Sequence, residues 1–405
     1  MEERYLVLLK KILIVTEYFY PEQLKINHVA LDWKNKGYDV DVLTMVPTYP
    51  VSEVFDGYEN KWYQKNVWNG IDIYRVKAVT GYKTSLLKKL LKYFAFMISG
   101  SIVAVKIGKK YDYIFGFNMS ALTGMFPAIM IKKFYKKPVA FWAQDIWPDS
   151  IYAYGFKKTK ILSFLLDGFV KFMYHNIDNI AISGKGFEKK LKPYCNQNLN
   201  FNYLPNWADN LDMHMDAVIF NEDKKVHFTF AGNVGKVQNL ENIIKAFNNL
   251  DIEYQDKSQL NIIGDGSALE ELKVIAKNSN IIFHGRKPRE EMAKYYKASD
   301  FLIVSLIDKP IFEVTVPAKT QTYILAKKPI LAIINGDTAD IVKDNNLGYT
   351  TSPTDLKDIE TIFIKAIETD KLQIDEFTKN CDNLTNNIFN KNIIIDKLLE
   401  LTIDN

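Results

Sequence analysis

Four stretches in the second half of the chain draw on glycine, amide or basic residues, the groups that can bind phosphate without a metal. "FAGNVGKVQNLENIIKAF", residues 230–247, passes from an apolar run through Gly232, Asn233, Gly235 and Gln238 into a helical pattern. Backbone N–H groups at a helix start, joined by side-chain amides, can hold phosphate oxygens. "IIGDGSALEELK" repeats the form at Gly264, and "HGRKPREEM" adds Gly285 and Arg286. "EVTVPAKTQTYILAKKPI" puts Pro317 where a first helical turn favours it, setting Lys319, Gln321 and Thr322 at the positive end of a helix. Each stretch also reads as an ordinary strand-to-helix turn, with Ser267 as a cap and Lys319 as a surface charge.

The first half offers groups suited to sugar hydroxyls. "FWAQDIWPDS" ends a strand-like run with Gln144, Asp145 and Trp147. A carboxylate there can orient a hydroxyl while an indole packs on the apolar face of a ring; the other reading is a capping Asp with Trp in the core. "FGFNMSALTG" presents Asn118 and Ser120 similarly, with Ser120 also readable as a cap. "YFYPEQLKIN" follows the first apolar run and carries Glu22, Gln23, Lys25 and Asn27 where a nucleotide-binding loop would carry glycines.

Other chemistries are disfavoured. The five histidines show no pair at metal spacing, and neither GxSxG nor a Walker sequence occurs, so no metal and no acyl transfer are expected. Cys195 and Cys381 stand alone, which fits a reducing cytosol. With 52 basic against 48 acidic residues, the net charge of +4 does not point to nucleic acid.

These residues need elements to hold them. "KILIVTE", "YDVDVLT", "IDIYRV", "YDYIFGF" and "PVAFWAQ" alternate with helical patterns, and a second series starts at "VHFTFAGNVG" and continues through "LNIIGDGS", "NIIFHGR", "FLIVSL" and "PILAIING". Such alternation implies parallel strands joined by crossover helices. The expected fold class is α/β, with two doubly wound Rossmann-like domains facing across a cleft. The boundary is expected at "NYLPNWADN", giving domains over 1–206 and 207–384.

The N-terminus begins with acids and does not read as a cleavable signal, and no segment is read as reaching the ~20 apolar residues of a spanning helix. "KTSLLKKLLKY" followed by "YFAFMISGSIVAVKI" sets Lys88, Lys89 and Lys92 beside an apolar run. Two readings stand: a core helix with a solvated lysine face, and a helix lying on an anionic membrane surface.

Taken together, "YFYPEQLKIN", "VPTYPVSEVFDGYEN", "WAQDIWPDS", "YLPNWADN", "FAGNVGKVQNLENIIKAF" and "TVPAKTQTYILAKKPI" resemble the GT-B fold retaining glycosyltransferases of the large group often called family four. More narrowly they are similar to O-antigen and capsule assembly enzymes that include N-acetylfucosamine transferases. The resemblance implies a UDP-sugar, N-acetylated or deoxy, held by the second domain, and a polyprenyl-diphosphate-linked saccharide acceptor held by the first. It implies retention by front-side attack, with no metal and no cofactor. The setting implied is the cytoplasmic face of a bacterial inner membrane, with the protein peripheral, and residues 385–405 crossing back to the first domain.

By that resemblance Lys319 neutralises the leaving diphosphate, with Asn233 and Gln238 where many relatives carry Arg and Lys. Glu313 matches the first acid of the family's paired-Glu signature, and Gln321 or Thr322 replaces the second, which contacts ribose. Glu22, Gln23 and Asn27 line the acceptor side, and Asp145 orients the acceptor. Two alternatives remain. A UDP-sugar 2-epimerase shares the fold, though the aromatic loop and the basic apolar helix argue against it. A non-catalytic sugar-nucleotide-binding scaffold subunit is favoured by the replaced second Glu.

Overall fold

The structure is a computed structural model that describes residues 10–83, 85–119, 121–153, 156–209, 211–220 and 225–404; the side chains of Leu86, Leu87 and Lys89 also lie outside the description. The chain divides into two compact units. The first runs through Ser183 and takes in Phe187–Leu204 and Ile394–Asn405; the second comprises Gly184–Gly186 and Pro205–Ile393.

The first unit is built on β1 (Lys11–Val15), β2 (Asp39–Met45), β3 (Tyr63–Trp68), β4 (Ile71–Val76), β5 (Tyr113–Asn118), β6 (Val139–Ala143), β7 (Asn179–Ile182) and β8 (Phe201–Tyr203). Their order is β3-β4-β2-β1-β5-β6-β7-β8. All pairings are parallel except β3 with β4. The continuous apolar runs of β1 and β6 are buried on both faces, as helices on each side of a parallel sheet require. Polar "YQKNVW" in β3 alternates exposed and half-buried positions, which suits an edge. The order reverses between β1 and β5, so the crevice at their carboxyl ends is a topological switch point.

The second unit holds β9 (Val226–Ala231), β10 (Ser258–Ile263), β11 (Ile281–Gly285), β12 (Phe301–Ser305), β13 (Ile330–Ile333) and β14 (Gly348–Thr351). All pairings are parallel, in the order β11-β10-β9-β12-β13-β14. Side chains alternate between two cores: Phe301 and Ile303 join Ile243, Phe247 and Phe363 on one face, while Leu302 and Val304 join Tyr323, Ile324 and Ile341 on the other. The switch point lies between β9 and β12.

The last helix, Lys391–Ile403, buries Ile394, Ile395, Leu398 and Leu399. It is tied to the first unit by Trp33 Nε1 donating to Ile395 O at 3.2 Å and Asn179 Nδ2 donating to Leu401 O at 2.8 Å.

The helix Leu86–Ile107, capped by Ser85, corrects two expectations. Its stretch Leu90–Lys110 is long and apolar enough, by length and composition, to cross a membrane, and 33% of the most apolar window is buried. Lys92 is not on a solvated or membrane-facing side: it is buried, its Nζ donates to Tyr18 Oη at 2.7 Å, and it lies over the Tyr82 ring at 4.5 Å. Lys88 is exposed, and the side chain of Lys89 lies outside the described residues.

Candidate functional site

In the second unit three strand ends are laced by backbone contacts. Gly232 N donates to Ile263 O and Gly264 N to Gly285 O, both at 2.9 Å. A Cβ on Gly264 would lie 1.8 Å from Gly232 O, and one on Gly266 would lie 2.5 Å from Val234 O. Only glycine permits so close an approach, and Gly264 also has φ +142°. The approach leaves a cavity of about 710 Å³ with Gly232, Asn233, Asp265, Arg286, Lys287 and Arg289 among its lining residues. Arg289 is paired with Asp209. Gly285, at φ +66°, has nothing within 4 Å of a would-be Cβ.

Lys319 stands at the switch point, in the first turn of the helix Ala318–Leu325 that follows β12. Its Nζ donates to Gln238 Oε1 at 2.9 Å and sits 3.8 Å from the Phe230 ring centroid. A Cβ on Gly232 would be 3.4 Å from that Nζ, so the amine lies beside bare backbone at the end of β9. No carboxylate pairs with it among the described residues, and burial pushes its pKa down to about 7. A desolvated amine at a helix N-terminus is completed by an anion, which restores the cation that burial disfavours.

Several expected donor contacts have other roles. The helix after β9 begins at Leu240, behind a 3₁₀ turn over Lys236–Gln238 and a left-handed Asn239. Its first N–H groups are therefore several residues beyond Gly235. Asn233 is exposed and borders the cavity. Gln238 turns its carbonyl to Lys319, so it orients the amine. Gln321 is buried with its amide 3.0 Å from the carbonyls of Pro317 and Ala318, which removes it from a ribose-contacting role. Thr322 Oγ1 donates back to Ala318 O at 3.0 Å. The Glu313 side chain is exposed, and its carbonyl accepts from Asp337 N at 2.6 Å.

In the first unit the loop after β1 is fixed from within. The Glu22 carboxylate is buried and accepts from Phe19 N at 3.0 Å, Thr48 N at 2.9 Å and Tyr49 N at 2.7 Å. Burial pushes its pKa up to about 7 against the pull of those N–H groups and Arg75. Glu22 is therefore a loop clamp and not a contact for a sugar hydroxyl. Asn27 Nδ2 donates to Glu22 O at 2.6 Å, while Gln23 is exposed. Arg75, which sequence reasoning passed over, completes the clamp: buried over the Tyr58 ring, it donates to the carbonyls of Met45 and Tyr20.

Asn118 ends β5 and is buried. A Cβ on Gly124 would be 3.1 Å from Asn118 Oδ1 and 2.8 Å from Glu17 Cγ, so Glu17, Asn118 and Gly124 converge at the first switch point. Glu17 was also missed, although an acid closing the run "KILIVTE" was the available signal. Ser120 lies outside the described residues. Asp145 Oδ1 accepts from Ile146 N at 2.8 Å, and burial pushes its pKa up to about 6. Gln144 beside it is half-buried. Trp147 is buried, edge-on to Tyr93 with centroids 6.3 Å apart, so its face is packed in protein and not offered to a sugar.

Residues 214–387 match the family model described as Glycosyl transferases group 1. The chain is 28% identical over 254 residues to the probable glycosyltransferase WbjE of Pseudomonas aeruginosa, covering 58% of this chain and 62% of that protein. It is 24% identical over 266 residues to the putative colanic acid biosynthesis glycosyl transferase WcaI of Escherichia coli K12, covering 61% and 62%. The match thus spans under two thirds of each relative's length. Among solved structures, Anabaena HepE in complex with UDP and glucose superposes with a TM-score of 0.62 at 11% identity, covering 96% of this chain and 98% of that one. The two sheets are those of the GT-B fold.

Proposed function

We propose that the protein is a glycosyltransferase of bacterial surface polysaccharide synthesis, using a UDP-sugar donor and a polyprenyl-diphosphate-linked saccharide acceptor. The observation that carries this is Lys319: an amine with no carboxylate partner among the described residues, at a helix start on the switch point, close to a glycine-walled and basic cavity. Matches to proteins named as glycosyltransferases, and a fold shared with a UDP-bound structure, support it.

In this reading UDP occupies the second unit, its diphosphate against Lys319 and the Gly232–Asn233 backbone. The acceptor hydroxyl oxygen bonds to the anomeric carbon as the bond from that carbon to the diphosphate oxygen breaks. The hydroxyl proton passes to the departing phosphate on the same face, so configuration is retained and no protein base is needed. Lys319 and backbone N–H groups offset the charge that develops on the leaving group, the role a metal plays elsewhere. Asp145 and Asn118 orient the acceptor. Because a polyprenyl chain stays in the bilayer, the protein works from the cytoplasmic membrane surface.

The test is a panel of UDP-sugars with a synthetic polyprenyl-diphosphate N-acetylhexosamine acceptor, following acceptor mass and UDP release with and without EDTA. A gain of one sugar, insensitive to EDTA and abolished by Lys319→Ala, is expected. Tight UDP binding without turnover across the panel would instead support the scaffold, and inversion at the sugar's C2 without acceptor would support the epimerase.

A further inference from the structure

Three helices of the first unit, Leu86–Ile107, Phe126–Tyr135 and Lys160–Tyr174, follow β4, β5 and β6. Right-handed crossovers stepping the same way across a parallel sheet lie on one face. Contacts confirm the neighbourhood: Gly100 of the first helix abuts Pro127, and Phe126 packs on Phe169 and Phe172. The outer side of this layer is apolar. Leu91, Phe94, Ile98 and Ile102 are exposed at helical spacing, while Phe96 and Ala104 on the opposite side are buried. The Lys160–Tyr174 helix repeats the arrangement more strongly, with Ile161 76% and Phe164 79% exposed beside exposed Leu165 and Phe172. Steps of three, four and seven residues put these on one stripe.

Charge accompanies the stripe. No acid occurs from residue 77 to 110 or from 150 to 166. Lys88 near the start of one helix, and Lys157, Lys158 and Lys160 at the start of the other, are exposed. Crossover helices run antiparallel to their strands, so both basic ends lie at the carboxyl edge of the sheet, where the ligand crevice is.

We propose that the helices Leu86–Ile107 and Lys160–Tyr174 form one docking face that lies on an anionic lipid bilayer, apolar stripes in the acyl boundary and lysines on the headgroups. This rests on the membrane-facing part of the proposed function and extends it to the second helix. A second copy of the chain suits the face poorly, since both partners would bring mainly lysines to the same contact, the one acid of these helices, Asp167, being half-buried and taken by the Tyr194 hydroxyl at 2.8 Å.

The test is flotation of the full chain with vesicles of phosphatidylglycerol and phosphatidylcholine in equal parts, and of phosphatidylcholine alone. Wild type floats with the anionic vesicles, less so in high salt, and weakly with the neutral ones. Phe164→Ser with Leu165→Ser lowers the partition coefficient roughly tenfold or more, since two large side chains no longer leave water. Lys157→Gln with Lys158→Gln lowers it on anionic vesicles only. Both pairs are exposed, so circular dichroism and UDP affinity stay at wild-type values. Equal flotation of the serine variant would overturn the proposal, as would a wild type that does not float but dimerises through these residues. Loss of UDP binding by wild type would strike the transferase reading and leave the docking face untouched.

Discussion

With the proposed diphosphate against Lys319, donor binding depends on pH in a calculable way. In the unliganded protein burial holds its pKa near 7, far below the ordinary 10.5. A diphosphate beside Nζ favours the cation, so the bound pKa rises and binding takes up a proton. The apparent dissociation constant then grows as one plus ten raised to the difference between pH and about 7. Between pH 7 and 8.5 that is roughly a fifteenfold weakening, and close to one proton is taken up at about pH 8. Titration calorimetry of UDP in two buffers of different ionisation enthalpy reads both quantities. Lys319→Gln flattens the profile and weakens binding at pH 7 by roughly ten- to a hundredfold, the worth of a charged hydrogen bond. A flat profile in wild type, or unchanged affinity in the variant, would refute the placement of the diphosphate at this amine.

Three further outcomes follow from the geometry. Asp145 keeps its proton to about pH 6 when folded but releases it near 3.8 when unfolded, so its share of stability falls as pH rises through that interval; Asp145→Asn removes this slope in denaturation midpoints measured from pH 4 to 6. Gly264→Ala drives a Cβ to 1.8 Å from Gly232 O and costs about 3 kcal/mol or more with loss of UDP binding, whereas Gly285→Ala meets no atom within 4 Å and costs roughly 1–2 kcal/mol by thermal melt. Ending the chain after Asn390 removes four buried apolar side chains worth about 1.5–3 kcal/mol each, comparable to the stability of a domain, so the first unit's calorimetric transition is lost; retention of that transition would show the helix to be dispensable.

The strands were legible wherever an apolar run is buried on both faces. "PVAFWAQ" became β6 and "FLIVSL" became β12 because a parallel sheet between helices demands continuous apolar segments. The edges were not: "YQKNVW" in β3, three residues in β8 and "GYTT" in β14 carry little hydrophobic signal, and pair because a neighbouring strand presents open backbone groups. Helix starts also slipped. "GNVGKVQN" reads as one turn into a helix, yet Asn239 adopts a left-handed conformation, donates to Pro353 O, and delays the helix to Leu240.

Composition and spacing alone determined the class of fold, the loops at its strand ends, and Lys319 as the cation of a helix start, because local propensity and hydrophobic period are properties of short stretches. Tertiary structure decided what each polar side chain does. Glu22 and Gln321 looked like ligand contacts and became clamps, since buried N–H and C=O groups nearby claim their hydrogen bonds. Lys92 looked like a surface charge and went inward, because Tyr18, from a strand end 74 residues away, joins Tyr82 and the neighbouring Tyr93 around it. The sequence left the helix after β4 open between a core and a membrane-surface reading and offered none for Lys160–Tyr174; the structure leaves an apolar face of each exposed, because the sheet beneath a helix has room for only one of its sides.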